Sequence, residues 1–162
     1  RSSLVGSEMC IRDRSMRSGS DQHDWLLEDL GKSSARCTIA YWHSPRWNAG
    51  LHEPGSSRSD DVWETLDDAG VDIVLGGHDH NYQRWAPQNA EGESVEDGIR
   101  QFVVGTGGRG LYDQEINDPQ LELFYNGSHG VLKLDLEADS YTWTFIPVPG
   151  TSFSDIGSDT CR

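Results

Sequence analysis

Basic residues are scarce in this chain of 162 residues: 13 lysines and arginines stand against 27 aspartates and glutamates, a formal net charge of −14. Because nucleic acids and anionic membranes attract basic surfaces, this balance argues against both as partners. The sequence also has no apolar run near the roughly 20 residues that a transmembrane helix needs. It has no charged start followed by an apolar stretch, so no signal peptide is visible. We therefore expect neither a nucleic-acid partner nor a membrane span.

Cysteine is also scarce, with three residues and no Cys-x-x-Cys pair. Cys10 belongs to an N-terminal segment of foreign appearance, which leaves Cys37 and Cys161. Two cysteines this far apart can form one long-range disulfide, which would imply an oxidising compartment and a secreted or periplasmic protein. They can equally be two unrelated thiols, one in a strand and one in a loose tail. Both interpretations stay open at the level of the sequence.

Bulky aromatic residues are present in spite of a low hydrophobic fraction of 35%: the chain has six Trp, five Tyr and four Phe. A disordered chain would lack such core material. A length of 162 residues suits one domain or part of one. The composition therefore predicts a globular chain.

The first residues resemble a translated sequencing adapter. Residues 8–13 read Glu-Met-Cys-Ile-Arg-Asp, which a transposon-end adapter encodes when it is read in frame. The alternative is an ordinary polar N-terminal tail. We exclude residues 1–14 from fold reasoning and treat 15–162 as the native part, into which the gene fragment would enter partway through a coding sequence.

Two amphipathic helices are predicted near the start of the native part. The first follows Ser20, has apolar residues at helical spacing over 21–30, and meets Gly31 as a stop. His23 is expected on the surface of this helix. The second follows Ser59, begins with two aspartates near the positive helix start, and ends at Gly70.

Short apolar runs predict the strands. Residues 37–42 and 71–76 flank the second helix, so they form a βαβ unit whose strands should lie parallel and be buried on both faces. Further β segments follow at 101–104, 130–136 and 141–148. The last two alternate between apolar and polar residues and should pair as a hairpin.

Three other segments are predicted as loops. The stretch 44–59 is rich in Gly, Pro and Ser and is long enough to line a functional site. The glycine-rich residues 105–110 lack the pattern of a phosphate-binding loop and suit a turn beside the site. The segment after Pro149 shows no periodicity.

Both strands of the βαβ unit end in histidine. His43 follows the first strand, and His78 and His80 follow the second. Because ligands gather at the carboxyl ends of parallel strands, three imidazoles should reach one sheet edge, where they could bind a borderline divalent metal. A lone His-x-His would be weak support, since structural or exposed histidines are common. The position of His43 makes the prediction more specific.

These residues resemble a family. Residues 76–84, GGHDHNYQR, are similar to the Gly-His-x-His signature of the calcineurin-like metallophosphoesterases. The continuation through Tyr82 and Arg84, with YWHSPRW at 41–47, resembles the purple acid phosphatase branch. The similarity runs from about residue 21 to 161. Two motifs in order with a helix between them are much more specific than either alone.

The resemblance implies the fold class: α/β, part of a four-layer α/β/β/α sandwich with a C-terminal, mostly antiparallel β portion. It also implies two metal ions in the full-length protein, of Fe, Zn or Mn. His43 and His78 would ligate one ion and His80 the other. The family's Asp-x-His, Gly-Asp-x-x-Asp and Gly-Asn-His-Asp/Glu motifs lie upstream and are not found here. We therefore expect residues 15–162 to be the C-terminal part of a single metallophosphoesterase domain, truncated and of uncertain activity alone.

The implied reaction is metal-assisted hydrolysis of a small phosphorylated substrate, a phosphate ester. His52 lies where related phosphatases place a histidine that contacts the phosphate or protonates the leaving group, although an exposed loop histidine is an equal alternative. Arg46 could contact a substrate anion or be a surface arginine. Arg84 is expected to pack against acidic neighbours. Two other functions stay open: a non-catalytic binding domain with unoccupied histidines, and a phosphodiesterase or nucleotidase on the same core.

Overall fold

The computed structural model describes residues 15–52 and 59–162. The segment 1–14, for which we predicted an adapter origin, lies outside the described residues, and so does part of the long loop, 53–58. Within the described ranges, no helix is long and apolar enough to cross a membrane.

Two helices lie where the sequence predicts them, α1 (Asp21–Lys32) and α2 (Asp60–Asp68). The first runs through Gly31 and ends one residue later, so the predicted stop is displaced. His23, expected on the helix surface, is buried, and its Nε2 lies 2.8 Å from Oγ1 of Thr65 in α2. This hydrogen bond joins the two helices.

The helix α2 ends at Asp68, two residues before the glycine that the sequence predicts as its stop. Gly70 has a φ of 69°, in the left-handed region that favours glycine. The N–H of Val71 donates to the carbonyl of Leu66 at 2.9 Å, which satisfies one of the last helical carbonyls. The chain then enters the next strand directly.

The described residues form eight strands: β1 (Ile39–Tyr41), β2 (Ile73–Gly76), β3 (Tyr82–Trp85), β4 (Arg100–Val104), β5 (Leu121–Tyr125), β6 (Gly130–Leu136), β7 (Ser140–Pro147) and β8 (Ile156–Thr160). Five form a sheet in the order β1-β2-β4-β3-β5, and three form a sheet in the order β6-β7-β8. β1 pairs parallel with β2, and β2 with β4, so the predicted βαβ unit is confirmed. The predicted hairpin of β6 and β7 is also confirmed.

Three strands were missed by the sequence analysis, namely β3, β5 and β8. The expectation of an irregular tail after Pro149 is wrong, because β8 pairs antiparallel with β7. Its sequence, Ile-Gly-Ser-Asp-Thr, has one large apolar residue and so shows no strand pattern. Hydrogen bonding to the neighbouring strand stabilises β8 instead.

The layers follow from the two faces of the larger sheet. One face packs on the helices through a cluster that includes Leu26, Trp63 and Val74. The other packs on the smaller sheet, where Phe102 lies 5.6 Å from Trp143 between ring centroids. The described residues thus build an α/β/β stack with a C-terminal antiparallel sheet, which confirms the predicted fold class.

A disulfide bond joins Cys37, just before β1, to Cys161, just after β8, across 124 positions of sequence. Both cysteines are buried between the sheets. The bond therefore links the edge of the larger sheet to the end of the chain.

A cluster of charged and polar groups also joins the two sheets. Arg84 forms ion pairs with Glu122 and, at 2.9 Å, with Asp155, as expected of a residue with acidic neighbours. The hydroxyl of Tyr82 donates to the same Asp155 carboxylate at 2.6 Å, and burial raises the pKa of this tyrosine.

Candidate active site at the carboxyl edge of the parallel strands

His43 and His78 each lie two residues beyond the end of a parallel strand, β1 and β2. Nε2 of His43 lies 3.0 Å from Nδ1 of His78. Two imidazole nitrogens bound to one tetrahedral zinc, each at ~2.0–2.1 Å, would be about 3.3 Å apart. The two rings therefore lie near the separation that a shared metal ion requires.

Tight turns set the His-x-His motif at the sheet edge. The N–H of Asp79 donates to the carbonyl of Gly77 at 2.7 Å, and His78 between them has a φ of 62°. A turn of this kind is rare and strained, at a cost of order 1–3 kcal/mol. A second such hydrogen bond, from Asn81 N–H to the Asp79 carbonyl at 2.9 Å, spans His80. Strain of this kind is concentrated at functional sites.

The ring of His80 is fixed by the glycine-rich turn. Its Nδ1 lies 3.0 Å from the carbonyl of Gly110, and since a carbonyl only accepts, Nδ1 carries the proton. In the neutral form of the ring, the lone pair is then on Nε2, the arrangement typical of a metal-binding histidine. Tyr112 stacks on this ring at 4.3 Å between centroids, and its N–H donates to the His80 carbonyl at 2.9 Å.

His52 reaches the same place from the long loop. Its ring centroid lies 4.5 Å from that of His78 and 6.5 Å from that of His80. Its Nδ1 lies 3.2 Å from Oδ1 of Asp79, which is fully buried. The structure thus brings together all four of the predicted site histidines.

The electrostatics favour the neutral form of the His78 imidazole. Burial lowers the pKa of His78, and the neighbouring His52 and His43 lower it further, while Asp79 acts in the opposite direction. A neutral imidazole is the form that binds a metal ion.

Arg46 lies at the side of this cluster. Its Nε lies 2.9 Å from Oδ1 of Asp60 at the start of α2, and its guanidinium carbon lies 4.0 Å from the centre of the Trp47 ring. Burial lowers the pKa of Arg46, and the Asp60 charge opposes that shift. A role for Arg46 in binding a substrate anion stays a prediction.

Comparison with known proteins agrees with this geometry. The profile of the family described as calcineurin-like phosphoesterase matches residues 7–82. The chain is 33% identical over 136 residues to purple acid phosphatase 18 of Arabidopsis thaliana, which covers 78% of this chain and 31% of that protein. The chain belongs to the calcineurin-like phosphoesterase family.

Other similar proteins agree with this family assignment. Probable purple acid phosphatase 20 of Arabidopsis thaliana is 29% identical over 129 residues, which cover 74% of this chain and 30% of that protein. The structure of purple acid phosphatase PPD1 from yellow lupin seeds superposes with a TM-score of 0.76 at 18% identity, over 90% of this chain and 29% of that one. GAP50, described as the anchor in the inner membrane complex of Plasmodium, gives a TM-score of 0.67 at 17% identity, over 91% and 47%. The chain spans about a third of the length of its curated relatives.

The donor set of this chain is partial. In the two described ranges, no group of three or more His, Cys, Asp or Glu side chains is arranged to hold a metal ion. The Nδ1 bond of His80 and the spacing of His43 and His78 nevertheless fit imidazole ligands of a borderline metal. The donors needed to complete a site are those that the family resemblance places in the upstream motifs.

Sequence reasoning missed the buried amides that hold the candidate site. Gln83 Nε2 donates to Oδ1 of Asn48 at 2.7 Å and to Oδ1 of Asn81 at 2.8 Å, and the Asn81 amide donates to Asp79 at 3.1 Å. We call Asn48, Asn81 and Gln83 the amide network. Asn48 in turn donates to the carbonyl of His52. The polar residues Asn81 and Gln83, which stand two positions apart with aromatic Tyr82 between them, are the sequence signal that could have revealed a strand with a buried polar side.

A second buried glutamine holds the first part of the loop. Oε1 of Gln101 accepts from the backbone N–H groups of Arg46 and Trp47, at 2.9 and 3.0 Å, and its Nε2 donates to the Trp47 carbonyl at 2.6 Å. Such fully satisfied buried polar groups specify one backbone position. The loop that leads from His43 to His52 is therefore anchored to the sheet.

Proposed function

We propose that the full-length protein to which this chain belongs hydrolyses phosphate esters with a site of two metal ions. The convergence of His43, His52, His78 and His80 at one sheet edge carries the proposal. Membership of the calcineurin-like phosphoesterase family supports it.

The residues of this chain would divide the work as follows. His43 and His78 would hold one ion, of Fe, Zn or Mn, and His80 the other, together with upstream ligands. When bound, these ions would lower the pKa of a water molecule and neutralise phosphate charge. His52 would supply a proton to the leaving oxygen, and Arg46 would orient the substrate anion if it leaves Asp60.

The substrate we propose is a small phosphate monoester. A net charge of −14 disfavours nucleic acid, because the chain would repel a polyanion. The buried disulfide supports an oxidising location, so we propose that the protein is secreted or periplasmic.

The first test is the metal content of the purified chain, measured by mass spectrometry beside the double variant His78→Ala, His80→Ala. We expect the wild-type chain to bind added Zn²⁺, Mn²⁺ or Fe and the variant to lose it. The variant His129→Gln, at a histidine outside the cluster, controls for nonspecific binding. Equal metal in all three proteins would contradict a histidine site.

The second test uses the full-length protein on p-nitrophenyl phosphate and bis(p-nitrophenyl) phosphate. Faster hydrolysis of the monoester supports a phosphatase, and faster hydrolysis of the diester would favour the phosphodiesterase alternative. Absence of both activities and of metal would favour a non-catalytic binding domain. The non-catalytic alternative has a precedent, since GAP50, a protein with a similar fold, is described as an anchor.

A further inference from the structure

A buried carboxylate, Asp79, lies in the sequence between the two histidines of the His-x-His motif and bonds to a third histidine outside it. Its Oδ1 is 3.2 Å from Nδ1 of His52, and its Oδ2 accepts from Nδ2 of Asn81 at 3.1 Å. Its side chain is fully excluded from solvent, whereas the ring of His52 is 38% exposed. A buried carboxylate thus holds a ring that solvent and substrate can reach.

Two glycines make room for this carboxylate. A Cβ added to Gly50 would lie 1.6 Å from Oδ2 of Asp79, and one added to Gly105 would lie 1.7 Å from its carbonyl oxygen. Neither position tolerates a side chain without moving Asp79. The loop and the sheet therefore close on this residue from both sides.

The amide network fixes the direction of the hydrogen bond from Asn81 to Asp79. Oε1 of Gln83 accepts from the backbone N–H of Ala49 at 3.0 Å and from the indole N–H of Trp85 at 3.1 Å, and both of these groups can only donate. The Gln83 amide nitrogen must therefore face Oδ1 of Asn81 at 2.8 Å. The nitrogen of Asn81 is then the group that donates to Asp79.

The carboxylate of Asp79 in turn determines which nitrogen of His52 carries a proton. A carboxylate accepts and does not donate, so the 3.2 Å contact with Asp79 places a proton on Nδ1 of His52. A ring that donates a proton to the substrate must carry protons on both nitrogens; it gives up the proton on Nε2, and the Nδ1–H tautomer remains. We infer that Asp79 is a positioning residue that holds His52 in the Nδ1–H tautomer and in one ring orientation. Its catalytic consequence rests on the function proposed above.

The isosteric variant Asp79→Asn gives a sharp test, because the network fixes the orientation of the new amide. The new Oδ1 must face the donating amide of Asn81, which leaves the new NH₂ group facing His52. An NH₂ group donates, so Nδ1 of His52 must now accept and the proton must move to Nε2. We expect the variant to invert the tautomer without a change in shape.

The first experiment is ¹⁵N NMR of the histidine rings at about pH 8.5, where an ordinary imidazole is neutral. His52→Gln assigns the His52 signals. The wild-type chain should show His52 as Nδ1–H, and Asp79→Asn should show it as Nε2–H. Asp113→Asn removes the same charge from an exposed residue that bonds to Asn126, and should leave the tautomer unchanged. A wild-type His52 in the Nε2–H form would overturn the inference even if the variant does not fold.

The second experiment measures kcat for two monoesters in the full-length protein. A correctly held general acid contributes roughly 10²–10⁴-fold, most where the leaving group is poor. Asp79→Asn should therefore slow phenyl phosphate by at least about 10²-fold and p-nitrophenyl phosphate much less. Equal losses on both esters would overturn the role through His52. If the wild-type protein hydrolyses neither ester, the proposed function fails, and the tautomer alone decides whether Asp79 positions His52.

Discussion

Removal of the disulfide between Cys37 and Cys161 should strongly destabilise the chain. The bond closes a sequence separation of 124 residues, and for a loop of this length the loss of unfolded-state entropy stabilises the fold by about 5 kcal/mol. Both cysteines are 7% exposed, and serine is close to them in size. The variant Cys37→Ser, Cys161→Ser should thus lose mainly the cross-link.

Urea unfolding followed by tryptophan fluorescence measures the effect. All proteins should carry Cys10→Ser, so that a third thiol cannot exchange with the bond. We expect the free energy of unfolding to fall by about 3–5 kcal/mol, a large part of the roughly 5–15 kcal/mol of an ordinary domain. The slope against urea should rise, because an unfolded chain without the cross-link exposes more surface. A loss below about 1 kcal/mol with an unchanged slope would refute the entropic argument.

Three further predictions test other contacts. Gly50→Ala should displace the carboxylate of Asp79 and destabilise the chain by about 1–3 kcal/mol. Gly107→Ala is the control, because a Cβ added there meets open space, and it should change the unfolding free energy by less than about 0.5 kcal/mol. Urea unfolding of both variants compares these free energies. Tyr82→Phe removes a hydrogen bond to a buried carboxylate between the sheets and should cost about 1.5–3 kcal/mol, and a loss indistinguishable from zero would show that this bond contributes nothing net. The pKa of His78 is lowered in the folded chain, so the unfolded chain binds more protons between the folded and unfolded pKa values. The contribution of His78 to stability is therefore present above about pH 6.5 and is lost as the pH falls. Unfolding of the metal-free His78→Gln variant should show a weaker pH dependence across that window, and an identical profile would contradict this account.

Local patterns were enough to predict the helices and the parallel strands. Helical spacing and a terminal glycine placed α2, and a run of apolar residues placed β2, because both elements bury a regular set of side chains. The same logic put His43 and His78 at one edge, since the carboxyl ends of parallel strands coincide. Local patterns did not predict the burial of His23, which a hydrogen bond to Thr65 of the other helix makes favourable.

The supports of the site could not be predicted from local patterns. Gln83 and Gln101 lie on adjacent antiparallel strands and bond to a loop more than 30 positions away in sequence. No periodicity in the sequence encodes such a contact, because it depends on sheet order. The same holds for Tyr112, which stacks on His80 only because the glycine-rich turn passes beside it.

The way in which the two glutamines hold the loop has a consequence for how the protein can change. At Arg46, Trp47 and Ala49, the glutamines bond to main-chain N–H and C=O groups that every residue except proline offers. These bonds do not depend on the identity of the side chain, but Ala49 is fully buried and Trp47 packs against the core. The partly exposed Arg46 is therefore the position where the side chain can be exchanged while the loop stays where it is. A library randomised at 46, with both glutamines kept, would vary the surface beside the histidines without moving His52, which separates the evolution of selectivity from that of the reaction centre.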